Sequence, residues 1–336
     1  MDEKESGLEL MEPSPSSRLL SLNEQTQGSR LDLFLATELA LSRAQVRRLL
    51  DSGSVSLEGR TLALSDKGLA LPSRGRIEVG VYRAGRDQVV HPNRPGDQEP
   101  QELASGAGWR AFAKPAGMPV HPLDEDESGT VLSHLMSQDP AVRGVGEGGL
   151  RSGVVHRLDV DTSGVLLMAT EEAVWQRLRR AFQEHRVDKT YLALVEGSPG
   201  WSDPMEEMRL WLCVSRHRPA RVRVASEAER ARGRAREIRQ SVRVLEEFGT
   251  SSLVEIRPRT GFLHQIRASL SHFGHPVVGD LRYGATQEGL GARRHLLHAQ
   301  KACFEEIGAE CPPPADFERA CDLARGGAGL SEPESG

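Results

Sequence analysis

Two stretches of the chain carry side chains whose types and spacing could do chemistry. The first is His156-Arg157-Leu158-Asp159-Val160-Asp161-Thr162-Ser163-Gly164, a polar segment between the apolar runs Gly153 to Val155 and Val165 to Ala169. A polar segment bounded by buried strands must be a loop, and catalytic groups concentrate on loops carried by a rigid scaffold. A carboxylate there can act as nucleophile or general base. Asp, Thr, Ser and Gly also simply turn chains, and on residue types alone the two readings stand level. The second stretch, LVEIRPRTGFLHQIRASLSHFGHPVVGDLRYG, reads strand, glycine turn, helix, loop. Ile266, Leu270 and Phe273 make its apolar stripe, while His264 and Arg267 stand three apart on another face. An arginine at a helix start, aimed away from the core, suits a distant carboxylate or a phosphate.

Other patterns are excluded. Gly144, Gly146 and Gly149 satisfy G-x-G-x-x-G, but no strand precedes them and no helix follows, so the turn that aims amides at a pyrophosphate is missing. There is no G-x-x-x-x-G-K-[ST]. His264, His272, His275, His295 and His298 crowd together without the spacing of a metal site, and no metal is expected. Cys213, Cys303, Cys311 and Cys321 form no Cys-x-x-Cys and are read as reduced, buried thiols.

The elements that must position these residues fall into zones. Of 336 residues, 38% are apolar and 27% charged, the balance of a soluble globular protein. No apolar run is long enough to cross a membrane, and the acidic start MDEKESGLELMEPSPSS is no secretory signal, so a cytoplasmic address is expected. The net charge of -5 hides opposite parts: residues 1–28 carry -4 and residues 304–336 carry -6, leaving +5 between them. The ends, 1–28 and 306–336, are expected to be disordered acidic tails. Residues 29–82 read as a small α+β unit. Its first helix carries Leu31, Phe34, Leu35 and Leu39; its second starts at a Ser42/Gln45 capping box and stops at Gly53; short strands follow at Val55–Leu57 and Ile77–Val79. Residues 83–108, rich in Gly, Pro and Gln, read as a linker. Residues 109–305 alternate strand-like and helical runs, including a helix over 171–183 with Val174, Leu178 and Phe182 on one side.

SRLDLFLATELALSRAQVRRLLDSGSVSLEGR resembles the S-four type RNA-binding module, in which a helix pair and the following turn grip RNA. That resemblance gives Arg43, Arg47 and Arg48 the role of RNA contacts; charge alone would make them a solvated helix face. HRLDVDTSG, KTYLALVEG and RTGFLHQIR with HFGHPVVGDLRYG, framed by WRAFAKPAGMPVHP and HLLHAQKACFE, together resemble the RluA-type family of RNA pseudouridine synthases, over about residues 109–305 and in the family's order.

The resemblance implies an α+β pseudouridine synthase fold with a mixed, largely antiparallel sheet. It implies isomerisation of uridine to pseudouridine without cofactor or metal: the N-glycosidic bond is cleaved and the ribose rejoined to C5 of the uracil. Asp159 would be the catalytic residue, as nucleophile on the sugar or as base at C2′. Arg267 would keep that carboxylate ionised and oriented. Tyr191 would stack on the uracil and take part in proton transfer at C5. The base must first leave its stack, and His156, Arg157 and His264 are the candidate groups for holding the distorted RNA. The expected partner is RNA, ribosomal before transfer RNA, and the expected state a monomer.

Phe262 stands where the family usually has arginine, which removes an RNA contact rather than the chemistry. Eleven arginines against three acids between Arg209 and Arg243 give that segment +8 and favour RNA contact over a solvated hairpin. Against the enzyme stands a different class, an inactive RNA-binding or ribosome-assembly factor on the same fold; retention of Asp159, Tyr191 and Arg267 together speaks against it. A glycoside hydrolase would want two carboxylates in defined separation and aromatic sugar platforms, and aromatics make up only 4% here.

Overall fold

In the computed structural model, which describes residues 16–41, 43–82, 88–201, 205–217, 219–286 and 290–328, the chain builds two sheets. The first is four-stranded. It contains β1 (Ser16–Leu22), β2 (Val55–Leu57), β3 (Arg60–Thr61) and β4 (Gly75–Tyr82) in the order β1-β4-β2-β3. Helices α1 (Leu31–Glu38) and α2 (Arg43–Asp51) pack on it. Leu31 and Leu35 of α1 and Val46 and Leu50 of α2 meet Leu20, Val55, Ile77 and Val79 in one core. Burial of each such side chain contributes about 1.5–3 kcal/mol relative to exposure. Ser42, the expected cap of α2, lies outside the described residues.

The second sheet has ten strands: β5 (Gln101–Gly106), β6 (Trp109–Lys114), β7 (Ser163–Ala169), β8 (Asp188–Glu196), β9 (Glu206–His217), β10 (Ala220–Val224), β11 (Arg236–Glu247), β12 (Ser251–Pro258), β13 (Leu297–Phe304) and β14 (Ile307–Glu310). Their order is β10-β9-β11-β12-β8-β13-β7-β6-β5, with β14 also pairing β13. The sheet is mixed and largely antiparallel. β13 runs parallel to β7 and antiparallel to β8.

Helices α3 (Val131–Gln138), α4 (Glu172–Gln183), α5 (Glu227–Ala231), α6 (Gln265–His272) and α7 (Ala315–Ala328) belong to this larger unit. All seven residues of β7 are buried, because the sheet is covered on both faces there. Leu166 and Met168 join the core that holds Leu132 and Leu135 of α3, and Val165 and Leu167 join the one that holds Leu178 of α4. On β8, Ala193 and Val195 meet Ile266 and Leu270 of α6 on one face, while Leu192 and Leu194 meet Phe317 and Ala320 of α7 on the other. Among the described residues no helix is long and apolar enough to cross a membrane.

Several expected boundaries move. The stretch read as an acidic C-terminal tail contains β14 and α7, because Phe317, Ala320, Cys321 and Ala324 recur at i, i+3, i+4 and i+7 and are buried. The acidic surface residues of α7 had hidden that stripe. β1 lies inside the expected N-terminal tail and buries Leu20 and Leu22 against β4. The linker reading of 83–108 also fails in part. β5 pairs β6, and Val89 and Val90 are buried, with the Val89 amide donating to Glu125. Residues 83–87 lie outside the described residues.

The helix α7 is therefore a structural part of the larger unit. Phe317→Ala is expected to destabilise it by about 3–5 kcal/mol, read from the shift of a chemical denaturation curve; a loss below 1 kcal/mol would mean that α7 is only loosely docked.

Candidate active site

Asp159 stands on the irregular segment that leads into β7, and contacts from several directions hold that segment. The Gly117 amide and the Lys114 ammonium both donate to the Val160 carbonyl, at 2.9 and 2.8 Å. Lys114 is buried at the end of β6 and also donates to the carbonyls of Pro115 (2.9 Å) and Met118 (2.8 Å), so all three of its donors are used. From the other side, Arg294 donates to the Asp161 carbonyl at 3.0 Å, His295 Nε2 meets Thr162 Oγ1 at 2.8 Å, and His298 Nδ1 meets Ser163 Oγ at 3.0 Å. Gly164 closes the segment where β7 crosses β13. Its φ is +122°, and a Cβ there would lie 2.2 Å from the Ala299 carbonyl oxygen, so only glycine fits.

Arg267 comes to Asp159 from α6. The guanidinium donates through Nη1 to Asp159 Oδ2 at 2.8 Å, and through Nε and Nη2 to the two oxygens of buried Asp280 at 2.6 and 2.8 Å. One planar cation thus bridges two carboxylates in fork geometry. The turn before α6 is braced by Gln265, whose Oε1 accepts from Thr260 Oγ1 and from the Phe262 amide. His264 caps the helix in the left-handed region, with φ +50°. The Tyr283 hydroxyl accepts from the Val222 amide at 2.9 Å and is hydrogen-bonded to His264 Nδ1, also at 2.9 Å. His264 Nε2 lies 3.8 Å from Asp159 Oδ2.

The electrostatics follow from these distances. Burial pushes the Asp159 carboxyl up, but His264 and Arg267 outweigh it and hold the group below the usual carboxylate range. Burial also pushes His264 below the ordinary imidazole value, against the pull of the Asp159 charge, so as pH rises its charge is lost first and Arg267 is the cation that stays beside Asp159. Tyr191, on β8 with its ring against the core, is pushed up by burial and then by the Asp159 charge, so its phenol keeps its proton.

These groups line a cleft of about 620 Å³. Among the described lining residues Asp159 is the one carboxylate; Arg157, Arg179, Lys189 and Arg267 supply cations. The cleft therefore suits a polyanion that must bring one reacting atom to one carboxylate.

The structure brings Asp159, Tyr191 and Arg267 together, with His156, Arg157 and His264 also in the cleft wall. Arg157 is exposed and has no ion-pair partner among the described residues. Two expected RNA contacts read differently in place. His156 is half-buried, stacked on Phe182 with ring centroids 4.5 Å apart, and its Nε2 accepts from the Leu167 amide, so the ring props the loop. His264 is buried and aims at Asp159 rather than outward. Arg43 and Arg47 are exposed on α2 and lie outside the cleft wall. Arg48 is committed to the Asp124 carboxylate and the Leu123 carbonyl, tying α2 to the larger unit instead of presenting a free cation.

None of the described arginines of 209–243 lines the cleft. Arg239 and Arg243 pair with Glu237 and Glu255, Arg223 pairs bidentately with Glu229, and Arg230 lies over the Trp211 ring. Two of these partners, Glu229 and Glu237, are already counted in the segment's +8, and Arg216, Arg221, Arg232, Arg234 and Arg236 are exposed, so most of that charge stays open to solvent. Phe262 is half-buried and lines the cleft. Asp280, Tyr283 and Lys114 escaped the reading of the sequence, because their partners are remote in the chain and no spacing marks them; His295 stood out there only as one of a crowd of histidines, and its partner is Thr162.

Arg267→Gln is expected to raise the Asp159 carboxyl, since burial then acts without the guanidinium's charge and hydrogen bond. Carbon NMR titration of aspartate-labelled protein reads it; an unmoved Asp159 signal would show that Arg267 does not set its ionisation.

Residues 110–272 match the family model described as RNA pseudouridylate synthase. A Synechocystis relative, named as an uncharacterized RNA pseudouridine synthase, is 33% identical over 93% of this chain and 95% of its own. A Xanthomonas campestris relative named ribosomal large subunit pseudouridine synthase D is 30% identical over 94% of this chain and 95% of its own. Among solved structures, human RNA pseudouridylate synthase domain containing 4 superposes with a TM-score of 0.52 at 22% identity, over 67% of this chain and 92% of that one, a likeness of fold.

Proposed function

From the premise that the chain belongs to the RNA pseudouridylate synthase family, we propose that it converts a uridine of large-subunit ribosomal RNA to pseudouridine with Asp159 as the catalytic carboxylate. The observation that carries this reading is the single ionised carboxylate in a cleft whose other charged groups are cationic. The large-subunit target is supported by relatives in Xanthomonas campestris and Zymomonas mobilis that carry that name.

The reaction moves a glycosidic bond from N1 to C5 and returns the C5 proton to the base, so atoms and electrons balance within one nucleotide. The target uridine is flipped from its stack into the cleft, at a cost of a few kcal/mol that contacts to the flanking RNA must offset. Asp159 then acts on the ribose, either at C1′ as nucleophile or at C2′ as base. In both routes it must be ionised and aimed, which is the work of Arg267 as held by Asp280. The Tyr191 ring offers a face to the detached uracil, and its protonated hydroxyl can donate to that base while it turns to present C5. The small N-terminal unit acts as an S-four type RNA-binding module, with Arg43 and Arg47 on phosphates.

Asp159→Asn is expected to lower pseudouridine formation by at least about 10²–10⁴-fold while leaving RNA binding in place. Unmodified ribosomal RNA is the substrate, and carbodiimide mapping locates the product. Full turnover by the variant would remove Asp159 from the mechanism, and product confined to transfer RNA would overturn the ribosomal target. Replacing Arg43 and Arg47 together with Ala is expected to weaken binding and flatten its logarithmic salt dependence by about 1–2, with the rate at saturating RNA unchanged. An unaltered slope would take α2 out of the RNA path.

A further inference from the structure

Lys189 is a cation the reaction as described does not use. It precedes Tyr191 by two residues on β8, so both side chains leave the same face of the strand, and both line the cleft. An ammonium has three donors. Lys114 fills all of its own with carbonyls, but Lys189 has one long hydrogen bond, 3.5 Å to the Thr260 carbonyl, and no carboxylate partner among the described residues. The neighbouring Asp188 is turned to Lys301, at 3.6 Å. The one carboxylate of the cleft wall, Asp159, is paired with Arg267 and not with Lys189. His156 is kept neutral, pushed down to about 3 by burial and then by Lys189 itself, and Arg157 and Arg179 are cations. Burial alone pushes the Lys189 ammonium down to about 8.

We propose that Lys189 binds a backbone phosphate of the RNA segment that enters the cleft. The inference rests on the reading of this cleft as an RNA site. A half-buried ammonium with two open donors is costly to keep in a free protein and gains most from an anion brought into the same low-dielectric wall. A phosphate is the anion the substrate carries at every nucleotide, and a lysine meets it as a point charge. The bound phosphate favours the charged form, so binding is constant below about pH 8 and weakens as the free ammonium titrates above it.

The test compares wild type, Lys189→Met and Lys189→Arg on an unmodified large-subunit ribosomal RNA transcript. For Lys189→Met at pH 7 the expected result is a KM raised on the order of tenfold, a logarithmic salt slope shallower by about 0.7, and an unchanged kcat. Lys189→Arg is expected to restore KM and to abolish the weakening above pH 8, since guanidinium stays charged; this arm stands even if the methionine variant folds poorly. A lowered kcat with KM and salt slope intact would overturn the proposal in favour of an action on the departing base. Values equal to wild type, or a wild-type pH dependence in Lys189→Arg, would overturn it outright. Wild type that makes no pseudouridine would instead sink the RNA reading of the cleft.

Discussion

One guanidinium is shared between two carboxylates, and the site is arranged around that fact. Asp280 takes Nε and Nη2 of Arg267, which fixes the plane of the fork and leaves Nη1 pointing at Asp159. Asp280 is buried and Asp159 opens on the cleft, so the buried acid holds the cation and the open acid uses it. Burying such charges is expensive, and an apolar replacement of similar shape would be as stable or more so. The arrangement is therefore better understood as orientation than as stabilisation. It keeps one carboxylate charged, aimed and only partly solvated.

That geometry needs two chain segments far apart in sequence to arrive at fixed distance, and the sheet supplies this. The segment carrying Asp159 runs into β7, while α6 packs on β8 and β12, and β13 lies between β7 and β8. The parallel pairing of Ser163 and Gly164 with His298 and Ala299 sets the height of the Asp159 segment. Arg294, His295 and His298 then pin it by hydrogen bonds, and Arg294 reaches on to Asp316 of α7. The C-terminal helix is thus connected to the site through one arginine.

Much of this was legible before folding. Helical spacing of Leu31, Phe34 and Leu35, alternation at Val55 and Leu57, and the continuous apolar run of β7 each declare their element, because burial on one face imposes a period. Asp159, Tyr191 and Arg267 were found through the order of sequence blocks. Composition misled where it was averaged. The acidic content of 306–336 concealed the stripe of Phe317, Ala320, Cys321 and Ala324, and the Gly/Pro content of 83–108 concealed β5. In both cases the few buried positions mattered more than the many exposed ones.

The sequence by itself determined the local elements, the family resemblance and the residue types at the site, since periodicity and block order are properties of neighbouring positions. Only the tertiary structure decided what each charge is for. Arg48 is engaged by a carboxylate and a carbonyl while most arginines of the 209–243 cluster stay exposed, His156 and His264 are turned into the protein, and Lys114 is saturated by carbonyls while Lys189 is not. These outcomes depend on which distant groups come within hydrogen-bond range, and electrostatic energy in a partly desolvated cleft is set by that proximity and burial rather than by the count of charges along the chain.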